Sequence, residues 1–192
     1  SKRLMRDVVQ RIHADISYQV KDGLRYNELY TRSPVTVSFP GMLPAQALAF
    51  TLTLKDKESV VLSGFEGADE ERTWTVRLND TLSVDGCRIV VTPSAFFSQQ
   101  WQGVDIKVRK SPVDAVAAVY QGGLGIRQEE DEASILTLSL KDSSPQRAED
   151  VVNTLIAVYN EAALKDKNQV AVNTANFINE RLVIIGQELG DV

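Results

Sequence analysis

The sequence predicts an α+β fold: a mixed sheet with packed helices, an inserted antiparallel β module, and a long C-terminal helix that projects. Three observations carry this. Residues 45–97 read as successive short alternating strands with turn signals between them and no helical period. Residues 104–140 and the start of the next segment run in the order β-α-β-β-α. From Pro145 onward there is no further Pro, and no Gly until Gly186, while apolar residues keep helical spacing. The expected division is an α/β base domain over 1–44 and 98–163, the β module over 45–97, and the truncated distal part of the long helix over 164–192.

Taken in order, residues 2–14 predict a helix, because Leu4, Val8, Val9 and Ile12 fall on one stripe. His13 stands at its end, where a protonated imidazole suits the helix dipole, and reads as a surface or cap residue. Ile16, Tyr18 and Val20 alternate as a strand, with a turn at Lys21-Asp22-Gly23. Residues 24–32 are compatible with a short helix or an irregular segment. Pro34 to Phe39 is an alternating strand closed by Pro40-Gly41. The module supplies strands at 47–55, 59–65, 73–78, 81–84 and 87–92. Asp85-Gly86 is a strong two-residue hairpin signal between the last two.

Val104 to Val108 alternates strictly, as a half-buried strand does. Ser111 is the expected cap of a helix with Pro112 at its first position, ending at Gly122-Gly123. Strands follow at 124–128 and 135–140, separated by the acidic turn Glu129-Glu130-Asp131-Glu132. Ser144 caps the last helix, with Pro145 first. Its first stripe runs Ala148, Val151, Val152, Leu155, Ile156, Tyr159, Ala162 and Ala163, and is expected to pack on the sheet. After a polar stretch, Val170, Phe177, Ile178, Leu182, Ile185 and Leu189 resume the spacing. A continuous helix over 145–189 reaches ~67 Å, far beyond the radius of so small a domain. The second half therefore needs another surface, and Phe177, Ile178, Leu182 and Ile185 are the candidate interface residues. Asn173 to Asn176 has weak helix propensity and marks a possible kink.

Composition narrows the function. The chain has 192 residues, 43% hydrophobic and 24% charged, with net charge −5. That is globular, and too acidic for a dedicated nucleic-acid binder. Charge is uneven: net +3 over residues 1–33, −1 over 34–110 and −7 over 111–192. A solvated surface explains this, and so does docking of a basic end on an acidic neighbour. The single cysteine, Cys87, excludes an internal disulfide and reads as a buried, inert thiol. The single histidine excludes two-histidine metal motifs.

Gly122-Gly123-Leu124-Gly125 follows a helix and enters a strand, the reverse of a phosphate loop, and no Lys-Ser/Thr follows. The contiguous acids at 129–132 lack ligand spacing. No nucleophile–histidine–acid set is marked. Asn79-Asp80-Thr81 matches a glycosylation sequon, and the same letters make an ordinary turn. Trp74 and Trp101 read as core or edge aromatics, and are the weak candidates for stacking on sugar. The residues thus describe a binding or assembly module with no catalytic, cofactor or metal site.

Three phrases carry a resemblance. They are Glu28-Leu29-Tyr30-Thr31-Arg32-Ser33-Pro34-Val35; Leu136 to Leu140 followed by Asp142 to Pro145 and Ala148 to Tyr159; and Phe177-Ile178-Asn179-Glu180-Arg181-Leu182 with Glu188-Leu189. The order and phrases resemble the Wzz-like chain-length determinants, the polysaccharide co-polymerases. They look most like the periplasmic part of the bacterial tyrosine kinases of capsule and exopolysaccharide export. Ser144 stands where the family often has Asp, which preserves the cap. The likeness covers 28–39 and 104–190; the β block at 45–97 matches only as the insertion such kinases carry.

The resemblance implies a periplasmic domain of an inner-membrane protein, with membrane helices before Ser1 and after Val192 and, in the kinase subgroup, a cytoplasmic kinase domain beyond. This chain has no Gly-Lys-Ser/Thr and is not itself the kinase. The implied partners are further copies of itself in a ring, the polysaccharide polymerase and export machinery, and possible contact with polysaccharide. The implied role is control of polymer length and export by assembly. The alternative is a soluble carbohydrate-binding module using Trp74 or Trp101.

Overall fold

The computed structural model describes residues 1–67, 72–128 and 135–190. The α+β class and the long C-terminal helix are as predicted. Among the described residues there are helices α1 (Lys2–Arg11), α2 (Val113–Gly123) and α3 (Pro145–Gly190). The strands are β1 (Ile16–Asp22), β2 (Arg25–Glu28), β3 (Val35–Ser38), β4 (Leu48–Leu54), β5 (Ser59–Ser63), β6 (Thr73–Arg77), β7 (Thr81–Val84), β8 (Cys87–Pro93), β9 (Asp105–Lys110), β10 (Gly125–Gln128) and β11 (Leu136–Ser139).

The strands form a six-stranded sheet in the order β2-β1-β9-β4-β5-β6, a three-stranded sheet β3-β8-β7, and a β10-β11 hairpin. Every ladder between these strands is antiparallel, so the expectation of a mixed sheet is corrected. The reason lies in the connections. A parallel pair needs a crossover that returns to the same sheet. Here α2 leads from β9 into the separate β10-β11 hairpin instead. The strands of 45–97 are antiparallel among themselves, and two of them also pair outside that segment. β4 lies along β9 from Leu48↔Lys110 to Thr53↔Asp105. β8 lies along β3 from Val35↔Pro93 to Ser38↔Val90.

Two cores result. One fills the space between the larger sheets with Phe50, Leu52, Leu62, Ile106 and Val108 against Val35, Val37, Ile89 and Val91. Tyr18 stitches these layers, its hydroxyl accepting a 2.8 Å bond from Val37 N–H; burial pushes the phenol up to about 12. The other core is helical: Met5, Val8 and Val9 of α1 meet Val113, Ala117 and Tyr120 of α2 and Val151 and Val158 of α3. The first half of α3 therefore packs on α1 and α2, not on the sheet. Those two helices already offer the apolar stripes that match it.

Local chemistry explains most boundaries. Asp85 and Gly86 adopt φ of 47° and 81° between Val84 and Cys87, the left-handed pair that a tight hairpin demands. α1 ends in a Schellman arrangement, with His13 N–H on Gln10 O and Ala14 N–H on Val9 O. His13 accordingly sits at φ 52°, exposed beyond the helix end. Residues 24–32, expected as a short helix or an irregular segment, form strand β2 followed by a single short 3₁₀ helix at Tyr30–Arg32. β1 runs on to Asp22 and turns through Gly23-Leu24, because β2 has a ladder partner. Ser111 does not cap α2. Pro112 occupies that position with no side-chain cap, and Ser111 N–H donates to Asp15 O. Ser144 does cap α3, accepting from Arg147 N–H at 3.3 Å. The helix runs unbroken through 173–176, with Thr174 Oγ1 donating to Val170 O. The acidic turn at 129–132 lies outside the described residues. No described helix is long and apolar enough to cross a membrane.

Candidate functional site: the projecting helix and its buried anchor

The base holds α3 by its first turns. Asp142, just before the cap, takes both ends of Arg147: Nε to Oδ2 at 2.9 Å and Nη2 to Oδ1 at 2.6 Å. Ser144 N–H and the Tyr120 hydroxyl also donate to that carboxylate, at 2.9 and 2.8 Å. Burial alone would raise the Asp142 carboxyl; the bonds from Arg147, Ser144 and Tyr120 outweigh it and bring it down to about 2. Arg147 Nη1 reaches back 3.4 Å to Glu28 Oε2, and the three side chains are 11%, 4% and 1% exposed for Arg147, Asp142 and Glu28. Glu28 Oε1 accepts from Tyr18 N–H and Tyr30 N–H, both at 3.0 Å. The Tyr30 hydroxyl donates to Asp150 Oδ2 at 2.7 Å. Burial, and then the carboxylates, push the Tyr30 phenol upward.

Farther out, Arg11 grips Glu161 through two bonds of 2.9 and 2.6 Å, at the exposed surface. The basic start of the chain thus meets an acidic side chain of α3 within the same molecule, and Arg6 meets Asp114 of α2 at 2.8 Å. Exposed pairs of this kind contribute little to stability, because water and salt screen them. Val158 is the last buried residue of the helix among those described.

Beyond it, the segment from Leu164 to Gly190 spans ~40 Å at 1.5 Å per residue. Its described side chains are all exposed. Phe177, Ile178, Leu182 and Ile185 are 60%, 51%, 61% and 48% exposed, so the chain itself covers none of the four candidate residues. They do not share one face. Ala171, Ala175, Ile178, Leu182 and Ile185 repeat at alternating spacings of four and three, the seam of a coiled coil. Val170, Phe177 and Ile184 repeat at seven and lie about 120° around the helix from that seam. The distal helix therefore carries two uncovered apolar stripes.

Trp74, on edge strand β6, is half-buried and packs edge-on to Phe65 at 5.0 Å, with Arg72 5.2 Å over its ring. Trp101 lies in the 3₁₀ turn Gln99–Trp101 and rests on the same core. Cys87 is half-buried at the start of β8. Among the described residues no group of three or more His, Cys, Asp or Glu could hold a metal ion. The buried anchor of Glu28, Asp142 and Arg147 escapes sequence reasoning, because its members are dispersed and only Asp142 and Arg147 are near in sequence. The second stripe was legible in principle as the sevenfold repeat of Val170, Phe177 and Ile184. A scan against protein-family models and a search of curated proteins give no match to this chain.

Proposed function

We propose that this chain is an assembly domain: a base that fixes one long helix, and a helix that supplies the contacts between copies. The observation that carries the reading is the pair of uncovered apolar stripes on α3. One stripe would be served by a single partner helix. Two stripes about 120° apart call for a neighbour on either side, as in a ring or bundle. A soluble helix that is apolar on more than one face is ordinarily covered in its working state.

The resemblance to the Wzz-like co-polymerases supplies the biological setting of the proposal. In that setting the domain stands in the periplasm, anchored through membrane segments outside this chain. It carries no catalytic role, and its ring acts on the length and export of capsular polysaccharide or exopolysaccharide. The test is the mass, in detergent, of the chain extended through the membrane segments that the resemblance implies. A large oligomer of defined size supports the assembly reading. A monomer at every concentration overturns it.

A further inference from the structure

The two hydrophobic cores fall on separate stretches of the chain. The residues of the β core lie between Ile16 and Val108, and those of the helical core lie before Asp15 or after Pro112. Among the described residues no side chain belongs to both. The chain crosses between the two bodies at 14–16 and again at 110–113, and the crossings are tied side by side. Ile16 is the ladder partner of Lys110, Ser111 N–H donates to Asp15 O at 2.8 Å, and Lys110 Nζ lies 3.3 Å from Asp15 Oδ2. Val113 N–H adds a 2.9 Å bond to Pro44 O at the start of α2. Two short adjacent crossings at element ends have the form of a hinge.

Across from the hinge the β body meets α3 through polar groups. Glu28 Oε2 faces Arg147 Nη1 at 3.4 Å, the Tyr30 hydroxyl donates to Asp150 at 2.7 Å, and Thr31 Oγ1 donates to Gln146 Oε1 at 3.5 Å. Tyr30 is buried yet belongs to neither core. Asp15 and Lys110 of the hinge border the same cleft as Tyr30 and Thr31, a space of about 410 Å³.

This polar contact has two imperfections. Tyr30 is held at φ 50°, in the left-handed region. The other described non-glycine residues at positive φ are His13, Asn79 and Asp85, types that tolerate it better than a bulky aromatic does. Glu28 Oε2 is buried without a hydrogen bond, and has only the 3.4 Å approach of Arg147. Strain and an unsatisfied buried atom at one contact mark a place that the surrounding structure holds shut. Parting Glu28 from Arg147 would leave the pair of Arg147 with Asp142 whole, admit water to Glu28 and relax Tyr30. Neither core would lose a residue.

We propose that the β body, residues 16–110, is a lever on the long helix: it turns about the paired crossings, and Glu28, Tyr30 and Thr31 are the latch that locks it to the first turns of α3. A partner that engages the β body better in one of the two states shifts the direction of α3 relative to it. The inference stands on the junction between the cores and does not depend on the assembly reading.

The test is the distance distribution between paired spin labels in the 192-residue chain carrying Cys87→Ser. Thr75→Cys with Asn160→Cys spans the junction. Thr75→Cys with Ser83→Cys, and Ala118→Cys with Asn160→Cys, are controls within each body; all four positions are exposed. Tyr30→Phe removes the bond to Asp150, and Glu28→Gln removes the charge facing Arg147. Each should add a displaced second peak across the junction, and the double variant should move most of the distribution there. The control distances should stay in place, and Arg11→Ala, whose contacts lie within the helical body, should change nothing. An unchanged distribution across the junction in the double variant overturns the proposal. So does loss of either control distance in the single variants, because the junction would then belong to one cooperative core. Neither outcome turns on oligomeric mass, so failure here and failure of the assembly reading are separable.

Discussion

Arg147 is the residue on which the attitude of the long helix depends. It sits in the first turn of α3, yet its guanidinium joins Asp142 to Glu28, which belongs to the β1-β2 hairpin. Removing one partner of a buried pair leaves the others charged and unsolvated, a loss of about 3–5 kcal/mol. Arg147→Ala should therefore lower unfolding stability in urea by about 3 kcal/mol, whereas Arg11→Ala, at an exposed and hydrated pair, should leave it nearly unchanged. Asp142 adds a pH signature. Its carboxyl lies at about 2 when folded against an ordinary 3.8. A depressed carboxyl contributes stability that is whole above the unfolded value and lost as pH falls through the folded one. The stabilisation of about 2 kcal/mol should thus disappear between pH ~4 and ~2, and Asp142→Asn should flatten that limb of the acid-unfolding curve. This anchor was not legible in the sequence. Arg147 and Asp142 look like ordinary charges flanking a helix cap, and Glu28 comes into reach only when the hairpin folds. The Ser144 cap was legible, since its partners lie within three residues.

At the scale of elements, legibility follows the same division between local and distant causes. The alternating strands and the Asp85-Gly86 turn are fixed by neighbours in sequence, and they appear where they are expected. β2 is not, because Arg25 to Glu28 becomes a strand only through its ladder with β1. The antiparallel order of the large sheet also escapes local reading; it depends on β9 inserting between β1 and β4. The long helix combines both kinds of cause. Its first half is held by Val151 and Val158 in the helical core. Among the described residues its second half has, besides intrinsic propensity, only local contacts such as Gln169 Nε2 to Asn173 Oδ1 at 3.0 Å. Most helical stability in proteins comes from packing of an apolar face, which this half lacks in the single chain. Amide hydrogen exchange on the chain at low concentration should show protection over 147–158 at least 100-fold greater than over 166–185. Equal protection of the two halves in a monomer would mean that propensity alone holds the distal helix.

At the scale of the whole molecule, the two stripes turn assembly into a question with distinguishable answers. Leu182 lies on the seam with Ile178 and Ile185, and Phe177 lies on the other stripe. Both are exposed, so Leu182→Glu and Phe177→Glu should leave the stability of the chain within about 0.5 kcal/mol of the parent. Their effects on association differ with the symmetry of contact. If the seam of one copy packs on the second stripe of the next, every interface contains both, and each single substitution should give monomers. If like stripes meet, each substitution removes one of two interface types and should leave dimers through the other. Light scattering of the two single variants and the double variant separates the cases. A ring requires the first pattern, since only unlike surfaces meeting head to tail close a cycle through one repeated interface. Masses that all three variants share with the parent would exclude the distal helix from assembly altogether. The base would then have to associate through other surfaces, and the two apolar stripes would need a partner other than a second copy of this chain.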